Sequence, residues 1–367
     1  MTAAEYANHI GVSADLWSYL KAARRPVVLY GMGNGADKII AVLDAYGIPV
    51  ADIFASDEFV RGQIFHGKTV ISFDAAKAKH GGDMIVLTSF GSHLESVIDH
   101  VYTLAEKCEM YIPDVPVCDG EIFTMDFFMQ NLADIASARE LLSDEVSKKL
   151  YDNIIRYKLT GRTDYLKSAS TADDTAEILQ CEKYTSMADL GAYNGDTVRY
   201  YAQLCPNLTS VIAAEPDART FKKLAQFADE TPHLTVECHN IAISETRGTI
   251  EFAASGNKGS NVSDSRITTK MRTIETDTLD NIARGRQIDF IKYDVEGSES
   301  AALRGSQNTI AASHPDLAVS LYHRSEDIFA LIKQTHALSP HSRLYLRRKM
   351  CIPAWEIMLY SINRNTR

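Results

Sequence analysis

Short apolar runs that end at glycine alternate with helix-like segments in the first third of the chain. The run PVVLYG from Pro26 closes at Gly31, and ADKIIAVLDAYG has helical spacing and ends at Gly47. IPVADIFASD and GDMIVLTSF are typical of two further buried strands. Strands that alternate with helices predict a parallel sheet with helices on both faces. We assign this first α/β domain to residues 1–116.

The strand pattern stops after this point and returns only near residue 185. SARELLSDEVSKKLYDNIIRYKLTG predicts helix with a stop at Gly161, because its apolar residues recur at mixed spacings of three and four. Thr171, Asp173 and Asp174 are candidate caps for a further helix. Residues 117–184 are therefore predicted to form a helical connector.

Alternation resumes over residues 185–367. SMADLGA, SVIAAEP, TVECHNIAIS, DFIKYDVEG and DLAVSLYH predict strands, with helices after the first, second, fourth and fifth. RLYLRRKM and WEIMLYSIN predict a closing β-hairpin around Pro353. The expected fold is two Rossmann-like, three-layer α/β domains joined by the helical connector.

The second domain carries a glycine turn in DLGAYNGDT. Gly191 and Gly195 allow a sharp turn and close approach of a ligand, and a helix beginning near Asp196 or Thr197 would aim its amides at that ligand. One strand later, Glu215 stands where a carboxylate can accept both hydroxyls of a ribose. This combination favours a nucleoside-containing cofactor. The alternative is that the glycines only shape a connection and that Glu215 caps the next helix.

Charges interrupt the strand in DFIKYDVEGSE. A period of two would put Lys292, Asp294 and Glu296 on one side of a strand that should be apolar throughout. Buried charges need partners, and the carboxyl end of a parallel strand is where α/β sheets bind ligands. The charges indicate either a functional site or a structural ion pair of Lys292 with a neighbouring carboxylate.

His323 ends the next strand. Its ordinary pKa of about 6.5 suits a general base, although a lone histidine can equally be a structural residue. In the first domain, Gly31, Gly33 and Ala36 have a G-x-G-x-x-A arrangement with Asp52 and Asp57 after the next strand. Read alone, that arrangement favours NAD or a nucleotide-sugar.

Composition narrows the function classes. The chain has 367 residues, which favours two domains, and its net charge of −10 argues against a nucleic-acid-binding surface. Its six Cys residues form no CxxC or His-paired spacing, so we expect reduced thiols in a cytoplasmic protein rather than a disulfide framework or a zinc site, and we assign no metal ligands. We find no signal peptide and no apolar run long enough for a membrane span.

Several motifs together resemble the FkbM-type methyltransferases. DLGAYNGDT, AAEPD, NIAIS, DTLDNI, DFIKYDVEGSE and LAVSLYHRSEDIFAL occur in that family's order and spacing, and the likeness covers about residues 140–365. The departures are Tyr193, where many members of the broader class have glycine, and Arg348, in a segment where histidine is expected.

The resemblance implies S-adenosylmethionine as cofactor, a class I methyltransferase fold and a hydroxyl acceptor on a sugar, glycan or natural product. The glycine turn would line the methionine and ribose, Glu215 would hold the ribose, and Asn240 to Ala242 would lie near the adenine. The predicted cofactor-binding residues are Asp189, Gly191, Ala192, Tyr193, Asn194, Gly195, Thr197, Glu215, Asn240, Ile241, Ala242 and Asp294; the predicted catalytic residues are Lys292, Asp294, Glu296 and His323.

Some assignments stay open from the sequence. Asp294 or His323 would take the acceptor proton, or Asp294 would hold the methionine ammonium group. Residues 255–270 are either a lid or an inert surface loop. An NAD-linked oxidoreductase or epimerase and a non-catalytic nucleotide-sugar sensor, each using the first glycine loop, are the alternative functions. The acceptor is expected to be a small molecule or glycan, and homo-oligomerisation is left open.

Overall fold

The computed structural model describes residues 1–253 and 271–363. Two large β-sheets, each flanked by helices, are separated in sequence by a helical segment. The predicted α/β fold is confirmed, while the domain boundaries after residues 116 and 184 stay predictions. The polar stretch considered as a lid, residues 255–270, lies outside the described residues. In the described part of the chain, no helix is both long and apolar enough for a membrane crossing.

The first sheet is built from short strands, and its central members Val27–Tyr30 and Ile85–Thr88 are buried on both faces. Its strands are parallel, in the order β5-β2-β1-β6-β7, and β3 pairs with β4 in a separate hairpin. The elements of this half are α1 (Ala3–Ile10), α2 (Leu16–Ala23), β1 (Val27–Tyr30), α3 (Asn34–Tyr46), β2 (Val50–Ala55), β3 (Ile64–Phe65), β4 (Lys68–Thr69), β5 (Ile71–Ser72), α4 (Phe73–His80), β6 (Ile85–Thr88), α5 (Glu95–Ala105) and β7 (Glu109–Tyr111), with 3-10 turns at Asp57–Phe59 and Gly81–Asp83.

The connecting segment is helical, as predicted, but its long amphipathic stretch is divided into two helices. Asp144 starts the second of them because its carboxylate accepts a hydrogen bond from Ser147 N at 2.7 Å. That helix ends at Gly161, whose left-handed φ of 62° allows its N–H to bond the Tyr157 carbonyl. The helices are α6 (Met125–Gln130), α7 (Leu132–Glu140), α8 (Glu145–Thr160), α9 (Thr163–Ser168) and α10 (Thr175–Leu179), followed by a 3-10 turn at Cys181–Lys183.

The second sheet has seven strands in the order β10-β9-β8-β14-β15-β17-β16. Its last two strands form the predicted antiparallel hairpin, and β17 pairs antiparallel with β15. The elements are β8 (Ser186–Leu190), α11 (Asp196–Leu204), β9 (Ser210–Ala214), α12 (Ala218–Asp229), β10 (Thr235–His239), β11 (Ala242–Ile243), β12 (Gly248–Ala253), β13 (Met271–Asp277), α13 (Leu279–Ala283), β14 (Phe290–Tyr293), α14 (Glu299–Arg304), α15 (Gln307–Ser313), β15 (Asp316–Ser320), α16 (Asp327–Leu338), β16 (Arg343–Arg348) and β17 (Ile357–Ile362).

The strand order places a ligand crevice between β8 and β14. From β8 the chain moves outward through β9 and β10, and it then returns to β14 on the other side of β8. In an open α/β sheet, ligands bind outside the carboxyl ends of the strands at such a reversal of strand order. The Gly191 turn follows β8 and Asp294 follows β14, so both lie at this point.

Arg348, which the family resemblance marks as unusual, is a buried structural residue at the end of β16. It is 1% exposed, and its guanidinium donates to the carbonyl oxygens of Trp355, Ala169 and Pro353 at 3.1 to 3.2 Å. It also donates to the Cys351 and Leu166 carbonyls. Among the described residues no carboxylate forms an ion pair with it. Arg348 thus holds the connector against the loop that precedes β17.

We expect the Arg348→Met variant to lose about 3 kcal/mol in its free energy of unfolding, because several buried carbonyls would lose their donor. Urea denaturation followed by circular dichroism measures this loss. Arg343→Met, at the exposed start of the same strand, is the matched control and should change the free energy by less than about 0.5 kcal/mol. Equal stability of the two variants would contradict the structural role.

Candidate functional site

The turn after β8 brings the backbone of two segments into close contact. Gly191 has a φ of 87°, and a Cβ built on it would lie 1.9 Å from the carbonyl oxygen of Asp294. The amides of Gly191 and the buried Ala192 both donate to the Ala214 carbonyl, at 3.0 and 2.9 Å. Only glycine fits at position 191, since it combines a left-handed φ with the lack of a side chain.

The rest of the turn leads into α11. Tyr193 has a φ of 47°, so the residue that replaces the third glycine adopts the left-handed conformation nonetheless. Asn194 Oδ1 accepts from Asp196 N at 3.2 Å. Gly195 has a φ of 82°, and a Cβ there would lie 2.4 Å from the Phe227 ring. The predicted strand, glycine turn and helix are therefore present in this order.

Glu215 lies directly after β9 and faces this turn. One carboxylate oxygen accepts from Tyr193 N at 3.0 Å and the other from Asp217 N at 2.8 Å. The N-cap of α12 is Asp217. Helix capping, the alternative role considered for Glu215, therefore accounts for only part of its contacts. Burial raises the pKa of Glu215 to about 7, although the two backbone amides oppose the rise.

Asn240, Ile241 and Ala242 follow β10 at the same edge of the sheet. The Asn240 amide donates to the carbonyls of Glu215 and Pro216 at 2.8 and 3.1 Å, which ties the end of β10 to the end of β9. Ile241 and Ala242 are partly buried beside it. The structure thus brings the predicted adenine-side residues next to Glu215, and their role in binding stays a prediction.

A buried ion cluster spans β8 and β14. Lys292 and Asp189 are register partners, and Lys292 Nζ lies 3.6 Å from Asp189 Oδ1 and 3.2 Å from Asp294 Oδ2. It also lies 3.4 Å from the Thr197 hydroxyl and the Gly191 carbonyl. The structural ion pair that the sequence suggested for Lys292 is present. Through it, Lys292 contacts both Asp189, a predicted cofactor-binding residue, and Asp294, which is also a predicted catalytic residue.

The charges of this cluster shift the pKa values of its members. Burial raises the pKa of Asp189 to about 6 despite the charge of Lys292. Burial also acts to raise the pKa of Asp294, but Lys292 and His323 outweigh it, and the net shift is downward. Asp294 therefore stays ionised at neutral pH next to a protonated Lys292.

The expectation that β14 continues through Glu296 with three charges on one side is wrong. The strand ends at Tyr293, and Glu296 has a left-handed φ of 52° within the following turn. The Glu296 side chain is 58% exposed, whereas that of Asp294 is 29% exposed. The carboxylates of Asp294 and Glu296 approach the site because the chain turns, and not because of strand alternation.

His323 follows β15 and is fully buried, with 0% exposure. Its Nδ1 lies 3.0 Å from Glu299 Oε1, and its Nε2 lies 3.6 Å from Asp294 Oδ1 and 3.5 Å from Glu296 Oε2. Burial acts to lower the pKa of His323, but the three carboxylates, Glu299 first, raise it to about 9. A histidine that already holds a proton at neutral pH is a poor base, and the identity of the proton acceptor stays a prediction.

Sequence reasoning missed Glu299, a buried acid three residues after Glu296. It is 1% exposed, and its Oε1 accepts from the amides of Val295 at 2.9 Å and Gly297 at 3.4 Å. It begins α14 and therefore points back to the turn. The second glutamate of VEGSE could have indicated this role from the sequence, because an acidic residue in the first turn of a helix often binds amides of the preceding loop.

The segment after the first sheet also contacts the site, and no sequence pattern predicted this contact. Cys118 N donates to the His323 carbonyl at 3.1 Å, and Cys118 Sγ lies 3.0 Å from the Glu296 carbonyl. Lys38, in the helix that follows the first glycine loop, donates to the Pro116 and Val117 carbonyls at 2.9 and 2.6 Å. The N-terminal half is thus joined directly to the turn that carries Asp294 and Glu296.

The first glycine loop is explained largely by packing. A Cβ on Gly31 would lie 2.6 Å from the Phe90 ring, and one on Gly35 would lie 2.3 Å from the Ser89 carbonyl. Asp52 lies within β2 rather than after it, and Lys79 and His80 bind its carboxylate. One of the two acidic residues of the predicted motif is therefore already paired, and binding of NAD or a nucleotide-sugar stays a hypothesis.

Residues 189–349 match the family model described as the Methyltransferase FkbM domain. The matched region contains the glycine turn, Glu215, Asp294, Glu299 and His323. The family resemblance inferred from the sequence motifs is thereby confirmed. No curated protein matches the chain.

Solved structures extend the similarity to the whole chain. The methyltransferase FkbM from Methylobacillus flagellatus KT shares 18% identity and a TM-score of 0.71, with 98% of each chain covered. Two further structures are much less similar. One is an rRNA methylase from Streptococcus thermophilus, with 14% identity over 52% of this chain and 91% of that one and a TM-score of 0.34. The other is Aeropyrum pernix fibrillarin with natively bound S-adenosyl-L-methionine, with 10% identity over 52% of this chain and 74% of that one and a TM-score of 0.32. The match to the Methylobacillus flagellatus structure shows that the fold of the whole chain, with both halves, is a known one.

Proposed function

We propose that this chain, whose residues 189–349 form an FkbM-type methyltransferase domain, transfers the methyl group of S-adenosylmethionine to a hydroxyl of a sugar, glycan or natural product. The observation that carries the proposal is the convergence of the Gly191 turn, Glu215 and the Lys292–Asp294 pair at the carboxyl ends of β8, β9 and β14. The acceptor class comes from the family resemblance and not from the geometry.

The residues at this edge suit the cofactor. Each oxygen of Glu215 accepts one backbone hydrogen bond and can accept another, so the carboxylate has room for two ribose hydroxyls. Asp189 is fully buried, and neither of its oxygens has a hydrogen-bond partner within the described residues. Asp189 therefore supplies negative charge beneath the turn on which the methionine end would lie.

Asp294 would hold the acceptor hydroxyl and take its proton. The bound cofactor supplies a methyl group that its sulfonium already activates, so the chain mainly has to align the acceptor oxygen and exclude water. Lys292 keeps Asp294 ionised, and the Tyr322 hydroxyl donates to Asp294 Oδ1 at 3.2 Å and fixes its orientation. With a cation already 3.2 Å from Asp294, a proton-acceptor role suits this carboxylate better than binding the methionine ammonium.

Two measurements test the proposal on the purified full chain. Calorimetric titration with S-adenosylhomocysteine should show one binding site, and labelled methyl transfer should appear in polysaccharide, lipid or small-molecule fractions. A folded protein that gives no heat with S-adenosylhomocysteine would overturn the proposal. A thermal shift with NAD alone would favour the oxidoreductase alternative.

We expect the affinity for S-adenosylhomocysteine to rise about fourfold between about pH 6.5 and 8.5. The pKa of Glu215 is about 7, and only the ionised carboxylate accepts both ribose hydroxyls. Binding is therefore weakest below pH 7, where Glu215 is protonated, and it strengthens as the proton leaves. Calorimetry at several pH values measures the effect, and Glu215→Gln should bind weakly with a flat profile. An unchanged pH dependence in Glu215→Gln would assign the titration to another group.

A further inference from the structure

Three buried or half-buried side chains beside the proposed acceptor position have the chemistry of a metal site. Asp294, Glu299 and His323 each present a donor atom, and these atoms lie within 4.8 Å of one another. Metal–ligand bonds of about 2.1 Å place neighbouring donor atoms roughly 3 to 4 Å apart. The separation of 3.0 Å between His323 Nδ1 and Glu299 Oε1 falls in this range.

Some buried polar atoms of this cluster have no hydrogen-bond partner. Within the described residues, Glu299 Oε2 and both ring nitrogens of His323 lack a hydrogen-bond partner, although these side chains are 1% and 0% exposed. Both ring nitrogens do have carboxylate oxygens at 3.0 to 3.6 Å, but none of these contacts has the geometry of a hydrogen bond. Buried polar groups are almost always bonded, and each exception requires an explanation, such as an ion at the site.

Negative charge is concentrated around the same point. Asp294, Glu296 and Glu299 all lie within 3.6 Å of a nitrogen of His323. Asp327, which is 5% exposed, lies near enough to Glu299 that the two charges interact. Four carboxylates near one imidazole, of which Glu299 and Asp327 are buried, create a strong attraction for a cation.

We propose that Asp294, Glu299 and His323 bind one divalent cation of the Mn²⁺ class. Carboxylate oxygens together with an imidazole nitrogen suit first-row divalent ions better than Ca²⁺ or Mg²⁺, which prefer oxygen ligands alone. Three protein ligands leave coordination positions open, and an acceptor oxygen can occupy one of them next to the proposed methyl-transfer position. Cation binding can be tested without the proposed function, although both use Asp294. Occupation of the open position by an acceptor oxygen rests on the proposed function.

A protonated His323 held between carboxylates is the competing account, and it requires no metal. The two accounts differ in a measurable way, because a ligating histidine must be neutral and metal binding displaces its proton. The cation account predicts a stoichiometric ion on the chain. The imidazolium account predicts none.

Titration of the chelator-treated full chain with Mn²⁺ distinguishes the accounts, since the electron paramagnetic resonance signal of free Mn²⁺ decreases on binding. We expect one Mn²⁺ per wild-type chain, with affinity reduced at least tenfold in Glu299→Gln and in Asp294→Asn. Asp52→Asn is the matched control, because Asp52 is also a buried carboxylate beside a histidine but is already paired with Lys79, and its binding should equal wild type. Thermal melts verify that each variant is folded.

No binding to wild type at millimolar Mn²⁺, or wild-type affinity in folded Glu299→Gln, would overturn the metal site. This readout uses neither S-adenosylmethionine nor an acceptor. Loss of the metal proposal therefore leaves methyl transfer standing, whereas Mn²⁺ binding by a chain that does not bind S-adenosylhomocysteine would overturn only the proposed function.

Discussion

Replacing Asp294 with Asn is expected to lower kcat for methyl transfer by a factor of about 10² to 10³. The carboxylate stays ionised because Lys292 lies 3.2 Å away, and a positioned base contributes a rate factor of this size. Asn has nearly the same shape but cannot take the acceptor proton. Single-turnover measurements with a saturating concentration of cofactor separate this loss from a change in binding.

Affinity for S-adenosylhomocysteine should change by less than about threefold in the same variant. If Asp294 instead held the methionine ammonium, the affinity would fall in parallel with the rate, by the tenfold or more that a lost charged hydrogen bond costs. Tyr322→Phe is the matched control, since it removes only the hydrogen bond to Asp294 Oδ1 and should lower kcat no more than about tenfold. A parallel loss of affinity in Asp294→Asn would assign this residue to the cofactor.

The Gly191→Ala variant is expected to lose measurable binding of S-adenosylhomocysteine and about 3 kcal/mol or more of its free energy of unfolding. The new Cβ would lie 1.9 Å from the Asp294 carbonyl oxygen, so β8 and β14 would have to separate at the site. Close packing makes such a shift costly, and the left-handed φ of 87° adds roughly 1 to 2 kcal/mol of strain. Calorimetry and urea denaturation measure the two effects.

Gly33→Ala in the first glycine loop is the matched control for this variant. Gly33 also has a left-handed φ, of 108°, but a Cβ there would meet no atom within 4 Å. It should therefore show the strain alone, with unchanged affinity for the cofactor. Equal losses in the two variants would attribute the Gly191 effect to backbone strain rather than to the contact between β8 and β14.

The sequence predicts the position of a site residue best where neighbouring residues alone determine the local backbone. The glycine turn, the carboxylate of Glu215 and the end of β14 follow from rules about strand ends, and all three lie at one edge of the sheet. The strand was extended too far, through Glu296, because alternating charges look the same in a strand and in the turn that follows it. No local pattern distinguishes these cases.

Periodicity, glycine positions and charge determined the two α/β halves, the helical connector, the closing hairpin and the general place of the site, since these depend on neighbours in sequence. The tertiary structure alone decided the partners of the charged groups. Glu299 and His323 meet although they are 24 residues apart in number, and Arg348 binds carbonyls of the connector. Which buried group faces which depends on the packing of distant segments, and a pKa or an affinity for a cation follows from that packing.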